Sequence, residues 1–274
     1  MVKLPLEDNF VDVIGKAQRG FKLSDSDLAR RAEVTPEELL QVKSGEMLEE
    51  VIRKLARSLN LGKNSLVEMA KQSWYPEVSE IESLTQFNTP WQDMTVNAYL
   101  VSDSQAKEAA AFDTGANAYA LLATVRTQNL KLKYLFLTHT HGDHVADMDR
   151  VVADTGAEVW VSEKEPFSGA RTFAEGQTFT LGRLRIETRL TAGHSTGGTT
   201  YVISGLSRPV AVVGDSLFAS SMGGGKVSYQ DALENNRRKV LLLPDDCVLC
   251  PGHGPLTTVG QEKNHNPFFP EFQK

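Results

Sequence analysis

The stretch Thr138–His139–Thr140–His141–Gly142–Asp143–His144 puts four residues able to bind a metal within six positions, directly after the apolar run Tyr134–Leu137. This limits what the chain can fold into. A strand ending at Leu137 delivers the cluster to the end of a sheet, in a loop. The groups that complete it must come from elsewhere. Five of the six histidines lie in three places: here, at His194 in Ala192–Gly193–His194–Ser195, and at His253 in Pro251–Gly252–His253–Gly254.

His139 and His141 are two apart, so both can turn onto one ion, and His194 is the candidate for a third ligand. As the backbone turns into a helix, Asp143 and His144 can face a second ion, with His253 completing that site. Asp215, in Val213–Gly214–Asp215–Ser216, ends the apolar run Val210–Val213 and fits as a negative bridge between the two. Imidazole and carboxylate suit zinc first, and also iron or manganese. Two ions roughly 3.5–4 Å apart hold a shared water and lower its pKa toward roughly 7, and they polarise a carbonyl oxygen. Asp143 is the candidate catalytic group, orienting the hydroxide. The expected chemistry is hydrolysis of an ester-like bond. Taken alone, each histidine could be a loop residue and Asp215 a helix cap. A structural role rarely needs four such groups so close together.

These residues resemble the metallo-β-lactamase superfamily of hydrolases over about residues 82–270. Phe112–Asp113–Thr114–Gly115 matches an early Asp motif, His139 to His144 the HxHxDH motif, and His194, Asp215 and His253 the later ones. The resemblance implies a four-layer αββα sandwich with the metals at one edge of the two sheets, and a structural role for Asp113. Within the superfamily the chain is most similar to glyoxalase II-like proteins, which split thioesters of glutathione. Gly193–Gly198, Gly214–Phe218, Pro251–Pro255 and Asn266–Phe268 carry that likeness. The chain departs after Asp215: typical members have a Gly–Arg pair where this one has Ala219–Gly225. The leading expectation is a dinuclear thioester or ester hydrolase acting on a small molecule. Two other readings are open. One is a mononuclear iron enzyme like the persulfide dioxygenases; the other is a DNA-binding regulator that uses the metal domain as a sensor.

The first 75 residues read as helices. Leu28, Ala29, Ala32, Leu39, Val42, Ile52, Leu55, Ala56 and Leu59 recur at three- and four-residue steps. Thr35–Pro36–Glu37–Glu38 is a helix start, with a capping hydroxyl, Pro in the first turn and Glu at the third position. Gly45 and Gly62 read as helix stops. Beyond Pro76 the pattern becomes β-rich, as at Val96–Val101, Glu158–Val161, Leu184–Leu190 and Thr200–Ile203. Helical stretches intervene around Ala116–Thr127, Val145–Thr155 and Tyr229–Val240. The expected division is therefore a small all-α domain, 1–75, and an α/β hydrolase domain, 76–274.

The N-terminal helices resemble the Cro/repressor helix-turn-helix at Leu28–Ala29, Val34, Leu39, Val42 and Gly45. Glu33 stands at the turn position that is often Gly, and the would-be reading helix opens with Pro36, Glu37 and Glu38. Residues 1–75 hold twelve Lys/Arg and twelve Asp/Glu. Acids at the front of a reading helix repel phosphates. The expectation is an adapted module that packs on the hydrolase, shapes its entrance or makes a homodimer. The net charge of −6 likewise argues against a nucleic-acid binder. No long apolar run suggests a membrane span, and the first residues lack the apolar stretch of a signal peptide, so a cytoplasmic protein is expected.

Weaker signals resolve to structure. Cys247 and Cys250 read as a buried strand, since residues three apart point to opposite faces. Gly223–Gly224–Gly225–Lys226 lacks the P-loop spacing and reads as a flexible loop near the metal edge, where Lys226 could meet an acidic substrate. Ser195 and Ser216 read as turn residues, and His265 as a packing histidine.

Overall fold

Apolar residues three and four apart wind the start of the chain into five helices: α1 (Phe10–Gly20), α2 (Asp25–Ala32), α3 (Pro36–Lys43), α4 (Glu49–Ser58) and α5 (Lys63–Ala70). The structure, a computed structural model, describes residues 3–273; Met1 and Val2, part of the segment read for a leader, and Lys274 lie outside the described residues. At α3 the Thr35 hydroxyl accepts from the Glu38 N–H, and the Glu38 carboxylate accepts from the Thr35 N–H at 2.8 Å. Gly45, at φ +100°, ends that helix. Gly62 does not stop a helix but opens α5. The end of α4 is closed by Asn60 in a left-handed conformation (φ 53°), with the Leu61 N–H returning to the Ala56 carbonyl.

Six strands then pair in chain order into one sheet: β1 (Leu84–Trp91), β2 (Met94–Asp103), β3 (Glu108–Phe112), β4 (Lys131–Phe136), β5 (Glu158–Ser162) and β6 (Arg171–Phe173). A second sheet runs from β7 (Thr178–Leu181) through β8 (Leu184–Leu190), β9 (Thr199–Ser204), β10 (Val210–Gly214) and β11 (Val248–Pro251) to β12 (Thr257–Thr258). Helices α6 (Tyr119–Thr127), α7 (Gly142–Val145), α8 (Met148–Thr155) and α9 (Tyr229–Asn235) lie between strands, and α10 (Val259–His265) follows the last one. The helix expected over 145–155 is split because the His144 carbonyl is taken by the Thr114 N–H (2.8 Å) and hydroxyl. The helix expected to run to Val240 finishes as a π-helical turn, Asn236–Val240.

Phe112, Phe136, Phe179 and Tyr201 fill the space between the sheets. Leu121, Leu122 and Val125 of α6 and Val151 of α8 cover the outer face of the first sheet. The outer face of the second, at Ala211, Val213 and Leu249, is covered by Ala232 of α9, Val259 of α10 and the apolar sides of α1 to α5 in one continuous core. The result is the expected four-layer αββα sandwich. Cys247 and Cys250 fall in different cores, on opposite sides of the second sheet, as free thiols that burial raises above the ordinary range. Among the described residues no helix is long and apolar enough to cross a membrane. The pairs β3–β4, β4–β5 and β10–β11 are parallel, so the loops leaving β3, β4, β10 and β11 emerge at one edge.

Candidate metal centre

The loop after β4 is built around Asp113, which follows β3 in a left-handed conformation (φ 57°). Its carboxylate accepts from the Thr138 N–H and hydroxyl, both at 2.7 Å, and from His144 Nδ1 at 2.8 Å. The chain is thereby turned so that His139, His141, Asp143 and His144 face one space. Asp215 arrives there from the end of β10. Gly214 precedes it at φ 51°, with no room for a Cβ, which would lie 2.5 Å from Thr138 Oγ1. Gly252 brings the His253 loop in so closely that a Cβ would lie 2.1 Å from Asp215 Oδ1. His194 comes from the loop after β8.

All seven residues singled out in the sequence meet here. His139, His141, His194 and Asp215 form one group, and Asp143, His144 and His253 a second, each with ligand atoms within 4.8 Å of one another. Asp215 lies between the groups. Its Oδ2 is 3.3 Å from His194 Nε2 and 3.5 Å from His253 Nε2, while Oδ1 is 3.4 Å from His144 Nε2. Asp143 Oδ2 is 3.4 Å from His253 Nε2 and 3.5 Å from His144 Nε2. Of the remaining expectations, His265 is outside the cluster, stacked on Trp74 with its Nδ1 2.9 Å from Glu68. Ser216 donates to Thr191 Oγ1 in a turn, and Gly223–Lys226 lines the cavity at the site.

The tautomers follow from the outer nitrogens. Nδ1 of His194 meets the Gly224 carbonyl at 3.0 Å, and Nδ1 of His253 the Thr95 carbonyl at 2.7 Å. His144 Nδ1 meets the Asp113 carboxylate, and His139 Nδ1 meets a Thr138 hydroxyl whose proton is already donated to Asp113. Each partner is an acceptor, so each Nδ1 carries a proton, and Nε2 is the nitrogen left to take an ion or a second proton. His139 Nε2 and His194 Nε2 then lie 2.9 and 3.1 Å from His141 Nδ1. Buried His144 Nε2 and Asp215 Oδ1 have no hydrogen-bond partner at all. Unpartnered polar atoms in a buried space are costly unless a cation or a proton sits among them, and fixed outer nitrogens are what metal-binding histidines need. The donor set fits divalent metal.

The electrostatics show the same demand. Burial holds His139 well below its ordinary range, and His141 and His194 below theirs. Burial also opposes charge on His144 and His253. The carboxylates of Asp113 and Asp215 nevertheless raise His144 to about 10, and Asp215 and Asp143 raise His253 to about 11. Burial raises Asp215, but His253 and His144 outweigh it and hold the acid well below the carboxylate range. The carboxylates draw positive charge into a site with no lysine or arginine among its ligands, and protons supply it when ions do not.

Sequence reading missed Glu165. Its Oε1 accepts from the Thr140 N–H and hydroxyl, both at 2.7 Å, and its Oε2 from the Gly197 N–H at 2.7 Å. It joins the two histidine loops. Nothing in Glu163–Lys164–Glu165–Pro166 marks it out, because its partners are brought to it only by the fold.

A model of the Metallo-beta-lactamase superfamily matches residues 91–253, more than half of the chain. The chain belongs to this superfamily. Its members are for the most part metal-dependent hydrolases, and here the family's match begins after the five N-terminal helices. Hydroxyacylglutathione hydrolase GloC of Haemophilus influenzae is 32% identical over 197 residues, covering 63% of this chain and 92% of that one. Mouse mitochondrial persulfide dioxygenase ETHE1 is 27% identical over 180 residues, covering 62% and 69%. Among solved structures, BLEG-1 B3 metallo-beta-lactamase superposes with a TM-score of 0.58 at 29% identity, covering 68% and 99%.

Proposed function

We propose that the chain is a dinuclear metal-dependent hydrolase that cleaves a thioester or ester bond. The observation that carries this is the position of Asp215, one carboxylate between two groups of inward-facing nitrogens. His139, His141 and His194 would hold one ion and Asp143, His144 and His253 the other, with Asp215 available to both; zinc would be the preferred metal, with iron or manganese acceptable to the same donors. Divalent ions bound there acidify water toward neutral pH and polarise a carbonyl oxygen. Asp143 lines the cavity as an ionised carboxylate, so it can accept the hydrogen bond that orients the attacking water. Asp113, Thr138 and Glu165 hold the ligand loops in place. The similarity to a hydroxyacylglutathione hydrolase supports a thioester, and the family match supports the reaction class.

Metal analysis of protein purified without chelator, with a panel of thioesters, lactones and β-lactams, tests the reading. Two ions per chain and thioesterase activity lost on chelation are expected, with His141→Ala losing both metal and activity by at least ~100-fold. Full activity after metal removal rejects it. The persulfide dioxygenase relative favours a second reading, one iron and oxygen chemistry. Oxygen consumption with a persulfide, at one iron per chain, would replace the first reading with this one.

A further inference from the structure

The cavity over the histidine cluster has a volume of about 640 Å³. The β1–β2 turn at Trp91–Met94 forms one wall. Another comes from residues that precede the family match: Glu7, Asp8, and Lys16, Arg19 and Gly20 of α1.

This second wall is fastened in place. Lys16 pairs with Asp8, donates to the Met222 carbonyl at 2.8 Å and lies over the Phe218 ring. The Ser221 hydroxyl donates to the same Asp8. At the other end of α1, Gly20 sits so closely on Tyr229 that a Cβ would fall 2.3 Å from the ring, and Phe21 meets that ring edge-on at 5.6 Å. Helix α1 is thus tied both to the segment after Asp215 and to the start of α9. The backbone that carries Arg19 is held at the cavity.

The charges on this wall differ in their commitments. Lys16 is engaged by Asp8. Arg19 and Lys226 line the cavity and form no ion pair or side-chain hydrogen bond with any described residue. The acids at the mouth are Glu7, half-buried beside the His253 loop, and Asp93 at the exposed β1–β2 turn. Asp143 and Asp215 belong to the metal cluster. Two uncommitted cations therefore border a cavity whose floor is built to cleave a neutral bond.

We propose that Arg19 is a specificity-determining residue, and that it receives an anionic group, a carboxylate or phosphate, on the acyl substrate, with Lys226 beside it. The planar guanidinium matches such groups bidentately. The N-terminal helices are then part of the substrate pocket. The inference deepens the hydrolase reading and rests on it for the identity of the ligand as substrate. A simpler role for Arg19 is to complement the dipole at the end of α1, and the test separates the two.

The metal-loaded full chain is assayed on 3-(acetylthio)propionate and its neutral amide, and binding of the non-hydrolysable 3-(ethylthio)propionate and its amide is followed by calorimetry. The wild type should prefer the carboxylates. Arg19→Gln should reduce that preference about tenfold, through KM and Kd rather than kcat, and Arg19→Lys should restore much of it. Equal effects on carboxylate and amide, or a lower Tm with the preference intact, overturn the proposal and leave the hydrolase reading standing. Absence of turnover with any thioester, while the carboxylate thioether still binds through Arg19, sinks the hydrolase reading and keeps the anion subsite.

Discussion

Asp113 shows how much of this site depends on a residue that is not among the proposed ligands. It sits at φ 57°, a conformation in which Asp is tolerated better than most side chains, and one carboxylate orients both Thr138 and His144. Asp113→Ala should weaken metal binding by about 10–100-fold while leaving every proposed ligand present, as measured by competition with a chromophoric chelator. An unchanged affinity would mean that His144 is oriented without it. Gly252 makes a steric case. A methyl group there would fall 2.1 Å from Asp215 Oδ1 and 2.7 Å from His144 Cε1, neither of which has slack. Gly252→Ala should lower stability by about 1–3 kcal/mol and reduce bound metal, read by denaturant unfolding and elemental analysis.

At the level of elements, the helices start where their caps say they should. Thr35 and Glu38 form the reciprocal pair at α3, so Thr35→Ala should cost about 1 kcal/mol in urea unfolding, with metal content unaltered because α3 is remote from the cavity lining. The strands were legible where burial alternates or runs unbroken, as in β8 and β10. The short β6, β7 and β12 were not, because two to four residues carry too little pattern. The same limit hid the division of α7 from α8, which depends on Thr114 capturing the His144 carbonyl. Gly62 read as a stop because a glycine after an apolar helix usually is one; here Asn60 takes the left-handed position first.

For the whole molecule, the metal-free protein has opposing titrations. His139, His141 and His194 are lowered, so the unfolded chain takes up more protons below about 6.5, and their effect makes stability fall as the solution becomes acidic. His144 and His253 are raised, so their contribution is complete below about 6.5 and is lost as pH rises through about 10 and 11. The contribution of these five histidines is therefore greatest near pH 6.5. With ions in place of those protons the alkaline loss should disappear, since ligands must be deprotonated to bind. Thermal unfolding of apo and metal-loaded protein across pH 5–10 checks this; parallel profiles would contradict it.

The sequence alone pointed to the sandwich and to the seven residues that the fold gathers. The HxHxDH run is local, and Gly214 and Gly252 mark the turns by which distant strands deliver Asp215 and His253. Tertiary structure decided which nitrogen His139, His144, His194 and His253 present, since that depends on Thr138, Asp113, Gly224 and Thr95 as acceptors. It also decided that Glu165 joins two histidine loops and that Arg19 lines the cavity. A ligand motif is written in side-chain chemistry over a few residues. A wall of the pocket is written only in where two surfaces, more than a hundred residues apart along the chain, come to pack.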